Sequence, residues 1–426
     1  TEIVGNASDE STAGFGDKLE ISYYKDGGVS VRDYGRGVPM GYNAIKKIMN
    51  WFLVFNEMYA GGKYKDYQDE LKKITDWSKF DPKDYNYLFS IGLNGLGAAS
   101  TQYTSSYFKA ISYRDGMATE MDFEGGYPVI TVNGETIVAN PTNLQKYVDE
   151  VDPEFNIKLY EPKTYETDEE NGTFIKWKPD NMVFTDTDIT FKWIQDKCEA
   201  VAYISGISVT LYNEESDKTI VYERGDITDL LIKENKKKLV DAENPKIYQV
   251  KDLTHGLLSK QDKIYVCQAD LSFVRTTEGG KVKCFHNAIK MGGGAQYEGV
   301  AGALSDFFYS VSSEKGVNIV STDYNNKFSV IVSSYSNIAD YRGQTKDEVE
   351  DRFIYTTIRD MLYEMIRTEY YKNNEDIISF VDEVVREAEM RVELQRQSKA
   401  LRELNKASRT RKLPEKFVPS QNFRDK

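Results

Sequence analysis

Three short runs hold residues able to do chemistry. The run EIVGNASDE (2–10) sets a carboxylate, an amide and two more acids close together. Read as a helix, it places Glu2, Asn6 and Asp9 on one face, because positions three and four apart are neighbours there. A solvated helix more often sets a Lys or Arg four residues after a Glu, so an acid and an amide turned inward need something to hold. In RDYGRGVP (32–39), Asp33 closes a strand pattern and Gly35 and Gly37 flank Arg36. A carboxylate there can accept from the exocyclic amine of a base, and the glycines let a ligand come close; the pattern equally describes a plain β-turn. In GLNGLGAAS (92–100), Gly92, Gly95 and Gly97 precede small residues that start a helix, and bare N–H groups at such a start suit a phosphate. The run is not a Walker A loop, since neither Gly62-Lys63 nor Gly280-Lys281 is followed by Ser or Thr, and it does not fit the dinucleotide fingerprint.

The elements that must position these runs are legible in outline. At 426 residues the chain suits two or three domains, and 40% hydrophobic with 13% aromatic residues makes it globular. Its 30 tyrosines fit half-buried strand positions. Apolar runs fall far short of the roughly 20 residues of a membrane span and no leader pattern opens the sequence, so a cytoplasmic chain without a membrane partner is expected. Three widely spaced cysteines argue against a disulfide framework. Cys284 and His286 lie two apart, but only one other histidine (His255) exists to complete a zinc set. A net charge of −13 confines any nucleic-acid contact to a local patch.

Residues 2–12 read as a helix and 18–33 as a hairpin turning at Lys25–Gly28. Helical spacing returns over 43–58, and the polar stretch 61–89 reads as a mobile segment. Strands are expected at 105–113, 117–122, 172–178 and 205–212. The lysine-rich run 232–246 marks a domain boundary. Strands near 263–275 and 282–288, a glycine cluster at 292–294, a helix over 296–312 and a strand at 328–335 follow. From about 346 to 412 the pattern is helical, broken near 373–376. Its last part, 386–412, holds nine basic residues against four acids. That stripe reads either as a solvated helix face or as a DNA-facing one.

In this order, Glu–x3–Asn–x2–Asp–Glu, Asp–x–Gly–x–Gly, Ala-Gly-Gly-Lys and Gly–x2–Gly–x–Gly resemble the ATP-binding fold shared by DNA gyrase B, MutL, heat-shock chaperones and histidine kinases. Residues 6–39, YAGGKY (59–64), GLNGLGAAS, NGTFIKWKPD (171–180) and GQTK (343–346) are similar to one branch, the type IIA topoisomerase ATPase subunits of gyrase and topoisomerase IV. The resemblance covers essentially the whole chain. It implies an α+β fold: a mixed sheet covered by helices on one face (Bergerat-type, 1–236), an α/β transducer ending in a long helix (237–412), and a linker toward a cleavage domain (413–426).

The same resemblance implies ATP and Mg²⁺ as cofactors. Glu2 matches the general base, Asn6 the Mg²⁺ ligand, Asp33 the adenine acceptor and Thr173 its support. Arg36, Gly37 and Pro39 match the pocket rim, Lys63 and Tyr87 the lid, and Gly92, Leu93, Asn94, Gly95, Leu96 and Gly97 the phosphate loop. Gln344 and Lys346 match side chains extended from the second domain to the γ-phosphate. Implied partners are a second copy of the ATPase subunit, a gyrase A-like DNA-cleaving subunit in a heterotetramer, and double-stranded DNA passed through an ATP-driven gate, with no DNA cleavage by this stretch alone. A MutL-like clamp and a non-hydrolysing nucleotide-binding assembly module are the alternatives.

The sequence departs from the family pattern in places. The 28 residues between Lys63 and Gly92 make a long lid, Asn94 stands where gyrases have His, and Gly5 replaces an Asp. The family's arm precedes the first acid, whereas here the sequence opens one residue before Glu2. Weak dimerisation and slow hydrolysis are therefore expected.

Overall fold

The computed structural model describes residues 2–60, 67–85, 87–89, 95–150, 154–343 and 346–409. The first part of the chain runs through α1 (Glu2–Thr12), β1 (Lys18–Tyr23), β2 (Val29–Asp33), β3 (Tyr42–Asn43), β4 (Ile48–Met49), α2 (Asn50–Phe55), α3 (Gln68–Leu71), α4 (Gly97–Tyr103), β5 (Ser105–Arg114), β6 (Met117–Glu124), β7 (Tyr127–Val132) and β8 (Glu135–Val138). It continues with α5 (Pro141–Glu150), β9 (Lys163–Glu166), β10 (Gly172–Pro179), α6 (Phe191–Ile204), β11 (Ser208–Asn213), β12 (Lys218–Tyr222) and α7 (Ile227–Asn235). The second part holds β13 (Ile247–Leu258), β14 (Lys263–Arg275), β15 (Val282–His286), β16 (Ile289–Lys290), α8 (Ala295–Lys315), β17 (Phe328–Ser336), α9 (Arg352–Tyr371) and α10 (Glu375–Arg409).

The first sheet orders its strands β12-β11-β1-β2-β10-β5-β6-β7-β8, with β9 on β6. Among the described strands only β1 and β11 pair in parallel, so the sheet is mixed. Alternation sorts its faces. Leu19, Ile21, Val31, Phe108, Ala110, Phe123 and Ile175 meet Ile3 and Ala7 of α1, Trp51 and Phe55 of α2, and Cys198 and Val201 of α6. The opposite face is polar: the Arg32 guanidinium sits over the rings of Tyr34 and Tyr113, and Lys109 pairs with Glu120. Helices thus cover one face, as the resemblance implies.

The second sheet orders β13-β14-β17-β15-β16, with β15 and β17 parallel. One face, with Leu271, Phe273, Val330 and Val332, packs under α8, α9 and the start of α10. The other meets Ile227, Leu230 and Leu231 of α7 through Val274, Phe285 and Ile331. Arg275, buried, pairs with Asp376 and Glu383 and so fixes the entry of α10. Farther along α10, Met390, Leu394, Leu401 and Leu404 are exposed, while Arg391 is spent on Asp323 at 2.8 Å rather than left in a free basic stripe. Among the described residues no helix is long and apolar enough to cross a membrane.

Two readings of the sequence need correcting. The helix expected over 43–58 is confined to Asn50–Phe55, because Asn43 accepts from the amides of Ile45 and Lys46 and turns the chain between β3 and β4. Among its described residues, the stretch read as mobile carries α3 and two short 3₁₀ turns; Leu71 of α3 is buried, and Trp77, Phe80 and Tyr85 pack half-buried against the second sheet. The sequence reading also passed over β13, whose half-exposed polar residues mask its alternation, and over α6.

Burial holds His286 between the hydroxyls of Ser334 and Ser336 and depresses its pKa to about 3. The folded state therefore keeps it neutral while the unfolded chain takes up a proton below about pH 6.5. Its contribution to stability is intact above that pH and declines as pH falls toward 3. Urea unfolding between pH 7 and 4.5 is expected to show a shallower loss of stability in His286→Gln than in the parent chain; parallel pH profiles would refute this.

Candidate functional site

A cavity of about 1690 Å³ opens between the two sheets. From the first part of the chain its walls include Glu2 and Asn6 of α1, the Arg36–Pro39 turn, Asn50 and Glu57 on and beside α2, and Gly95–Ala98 at the start of α4. The second part supplies Ala339, Asp340, Tyr341, Gly343 and Lys346.

The two contributions meet at one ion pair. Lys346 Nζ lies 3.1 Å from Glu2 Oε1, with both side chains largely shielded. Lys346 rides on a hairpin-like loop closed by a bridge between Tyr341 and Val349 and by Arg342 pairing with Glu348 at 2.9 Å. Its own backbone is left-handed (φ 54°), a sparsely allowed state for a lysine that surrounding contacts must hold. Those contacts include the 292–294 glycine cluster: Gly292 N–H donates to Asp347 O and Ala295 N–H to Val349 O. At Gly294 (φ 87°) a Cβ would fall 2.5 Å from Val349 O, so only glycine seats the loop here. On the other side of the ion pair, a Cβ at Gly97 would come within 2.9 Å of Glu2 Cβ. The glycine that starts α4 is thus also the room in which the Glu2 side chain lies.

A second polar cluster guards the mouth. Glu10, on α1, accepts from Tyr87 at 2.5 Å through Oε1 and holds Arg36 Nε at 3.2 Å through Oε2. Arg36 also donates to the Tyr87 hydroxyl and stacks on Phe15. Burial pulls the Arg36 pKa down, but bonding to Glu10 outweighs it and the net shift is upward. Burial, reinforced by Glu10, drives Tyr87 strongly upward, so the phenol stays protonated and donates.

Asp33 is buried at the end of β2, where Oδ1 accepts from the backbone amides of Gly35 (2.9 Å) and Thr173 (3.1 Å). Thr173 therefore supports Asp33 through its amide, and neither residue is part of the cavity lining. Glu2, Asn6, Arg36, Gly37, Pro39, Tyr87, Gly95, Leu96, Gly97 and Lys346 all line it. Lys63, Gly92, Leu93, Asn94 and Gln344 lie outside the described residues. Sequence reasoning gave Glu10 no definite role and missed Tyr341 altogether. The proximity of Glu10 to two motif runs is a signal for the first, whereas Tyr341 has none beyond standing two residues before GQTK.

A lysine loop from the second sheet thus reaches an acid in a glycine-rimmed pocket of the first. Residues 226–400 match the family model for DNA gyrase B. The chain is 25% identical over 374 residues to the B subunit of DNA topoisomerase 4 from Mycoplasma capricolum, covering 86% of this chain and 49% of that protein. It is 24% identical over 433 residues to the B subunit of DNA gyrase from Haloferax lucentense, covering 99% and 59%. It therefore spans about half the length of these relatives. Among solved structures, the topoisomerase IV ATP-binding domain of Francisella tularensis superposes with a TM-score of 0.59 at 18% identity, covering 92% of this chain and 91% of that one. The 43K gyrase B ATPase domain of Thermus thermophilus gives 0.58 at 16% identity, covering 94% and 91%. The chain is thus similar to the B subunits of DNA gyrase and topoisomerase IV, as its motifs implied.

Replacing Gly97 with alanine puts a methyl group into the space of Glu2. Any turnover that uses Glu2 is expected to fall by on the order of tenfold or more, since misplacing a reacting group by about 1 Å has effects of that size. Stability should change little. Unchanged turnover in Gly97→Ala, measured beside a thermal melt, would show that Glu2 is not held by this contact.

Proposed function

We propose that this chain is the ATP-binding and ATP-hydrolysing region of a cytoplasmic type II topoisomerase subunit. In this reading ATP-driven pairing of two copies closes a gate on double-stranded DNA, and hydrolysis resets it, in assembly with a DNA-cleaving subunit. The observation that carries the reading is the Lys346–Glu2 contact at 3.1 Å across the cavity. It puts a cation able to bind a terminal phosphate beside an acid able to orient water.

The other residues fit assigned tasks. Asn6 offers an amide oxygen at the cavity wall, the hard donor type that Mg²⁺ takes alongside phosphate oxygens. Among the described residues no cluster of three or more His, Cys, Asp or Glu could hold a metal alone, which suits an ion held mainly by its nucleotide. When bound, Mg²⁺ would neutralise phosphate charge. Asp33, oriented by two backbone amides, would accept from the adenine amine, and Arg36 and Pro39 would flank the base. Gly95 and Gly97 would let the phosphates approach the backbone, with Gln344 and Lys346 reaching the γ-phosphate. Glu2 would receive a proton from the attacking water at a carboxylate oxygen.

The test is Mg²⁺-dependent ATP hydrolysis measured against protein concentration, with nucleotide affinity measured in parallel. A rate rising faster than linearly is expected, because pairing assembles the site. Glu2→Ala is expected to lower kcat by about 10²- to 10⁴-fold, the usual worth of a general base, with affinity nearly unchanged. Equal loss of affinity and turnover would refute the base role. No nucleotide binding at all would overturn the whole reading.

A further inference from the structure

Residues 67–85 and 87–89 belong to the stretch that the sequence offered as a mobile segment and a long lid, and Tyr67 and Tyr87 line the cavity. The middle goes elsewhere. Strand β17 stops pairing with β14 at Cys267↔Ser336, which leaves the first residues of β14 without that neighbour. Gln68 takes its place. Its Oε1 accepts from Ile264 N–H at 2.6 Å and its Nε2 donates to Ile264 O at 3.0 Å, the two bonds an added strand would make. Apolar contacts deepen the attachment: Leu71 and Leu88 pack with Val266, all three buried, and Trp77 lies flat on His255 with ring centroids 3.9 Å apart. Lys72 adds an exposed pair with Asp262.

The same carbonyl has a second visitor. Asn337 donates to Ile264 O at 3.0 Å and accepts from Val266 N–H at 2.8 Å. Asn337 begins the segment that leads through Tyr341 to Lys346. The stretch over the cavity mouth and the loop that carries the lysine therefore end on one atom of β14.

We propose that residues 67–85 and 87–89 form a strap that ties the wall of the cavity holding Tyr67 and Tyr87 to the edge of β14, so that this wall and the Lys346 loop respond to an occupant of the cavity as one unit. The inference rests on the nucleotide reading above. An occupant that draws Tyr87 or Lys346 transmits its pull to Ile264 by two routes. Releasing the strap leaves only the route through Asn337.

The discriminating variant is Gln68→Glu, nearly isosteric, which sets a carboxylate against the Ile264 carbonyl. Trp77→Ala is the second, independent break. Backbone hydrogen exchange is measured on peptides covering 67–72 and 263–267, with and without a non-hydrolysable ATP analogue, in the full chain; dissociation of a fluorescent form of the same analogue is timed. In the parent chain the analogue is expected to slow exchange in both peptides. In either variant, protection at 263–267 should respond less and dissociation should speed up by about fivefold, the effect of losing roughly one net hydrogen bond. Exchange at 263–267 that responds equally in parent and variants, with 67–72 shown to be released, would overturn the strap while leaving nucleotide binding in place. Failure of the parent chain to bind the analogue would overturn the nucleotide reading and the inference together.

Discussion

The contact between Lys346 and Glu2 is the one on which the rest depends, because it spans two sheets that have separate cores. As a stabilising interaction it is minor: a partly shielded pair is worth about 1 kcal/mol or less after desolvation and side-chain ordering. Its consequence is positional. A cation from the second sheet stands where the first sheet keeps an acid, so anything anionic that enters the cavity competes for the lysine. Under the proposed function, a terminal phosphate takes Lys346 and leaves Oε1 of Glu2 open to water. Occupancy of the site and the disposition of the two sheets are then one equilibrium, which is the physical content of a nucleotide-driven gate.

Much of the molecule reads as support for that contact. The lysine's left-handed backbone is tolerated because glycines at 292–294 admit the loop to the start of α8, and because Tyr341 packs near the neutral, buried His286. On the acid's side, Gly97 makes room and α1 is pinned through Glu10 to Arg36 and Tyr87. Strain at one residue is thus offset by close backbone approach at several others. Substitutions at Gly292, Gly293 and Gly294, which lie outside the cavity lining, are expected to act on the site without touching it.

The legible part of the fold was the part with local periodicity. The β1–β2 hairpin announces itself by alternating Leu19, Ile21, Val29 and Val31 around Asp26-Gly27-Gly28, and α1 by the spacing of Glu2, Asn6 and Asp9. The candidate site was legible through residue type and order, and the structure gathers most of the named residues into one cavity. The misses have physical causes. The 67–89 stretch looks polar because its aromatic and aliphatic anchors are spread singly among charges, and their partners lie far along the chain on β13 and β14. Strand β13 is half exposed, so its polar residues hide its pattern. Asp33 stands behind the cavity lining because its carboxylate is turned onto the amides of Gly35 and Thr173, a pairing that no local pattern reveals.

The claim that the second sheet completes a site for a terminal phosphate is tested most directly by comparing the affinities of a non-hydrolysable ATP analogue and of ADP for the parent chain and for Lys346→Met. Loss of a charged contact to phosphate amounts to about 1.5–3 kcal/mol, so the analogue is expected to bind Lys346→Met at least about tenfold more weakly. ADP, lacking the terminal phosphate, should bind both chains alike. Equal affinity of the analogue for both chains, or an equal loss for both nucleotides, would contradict the account.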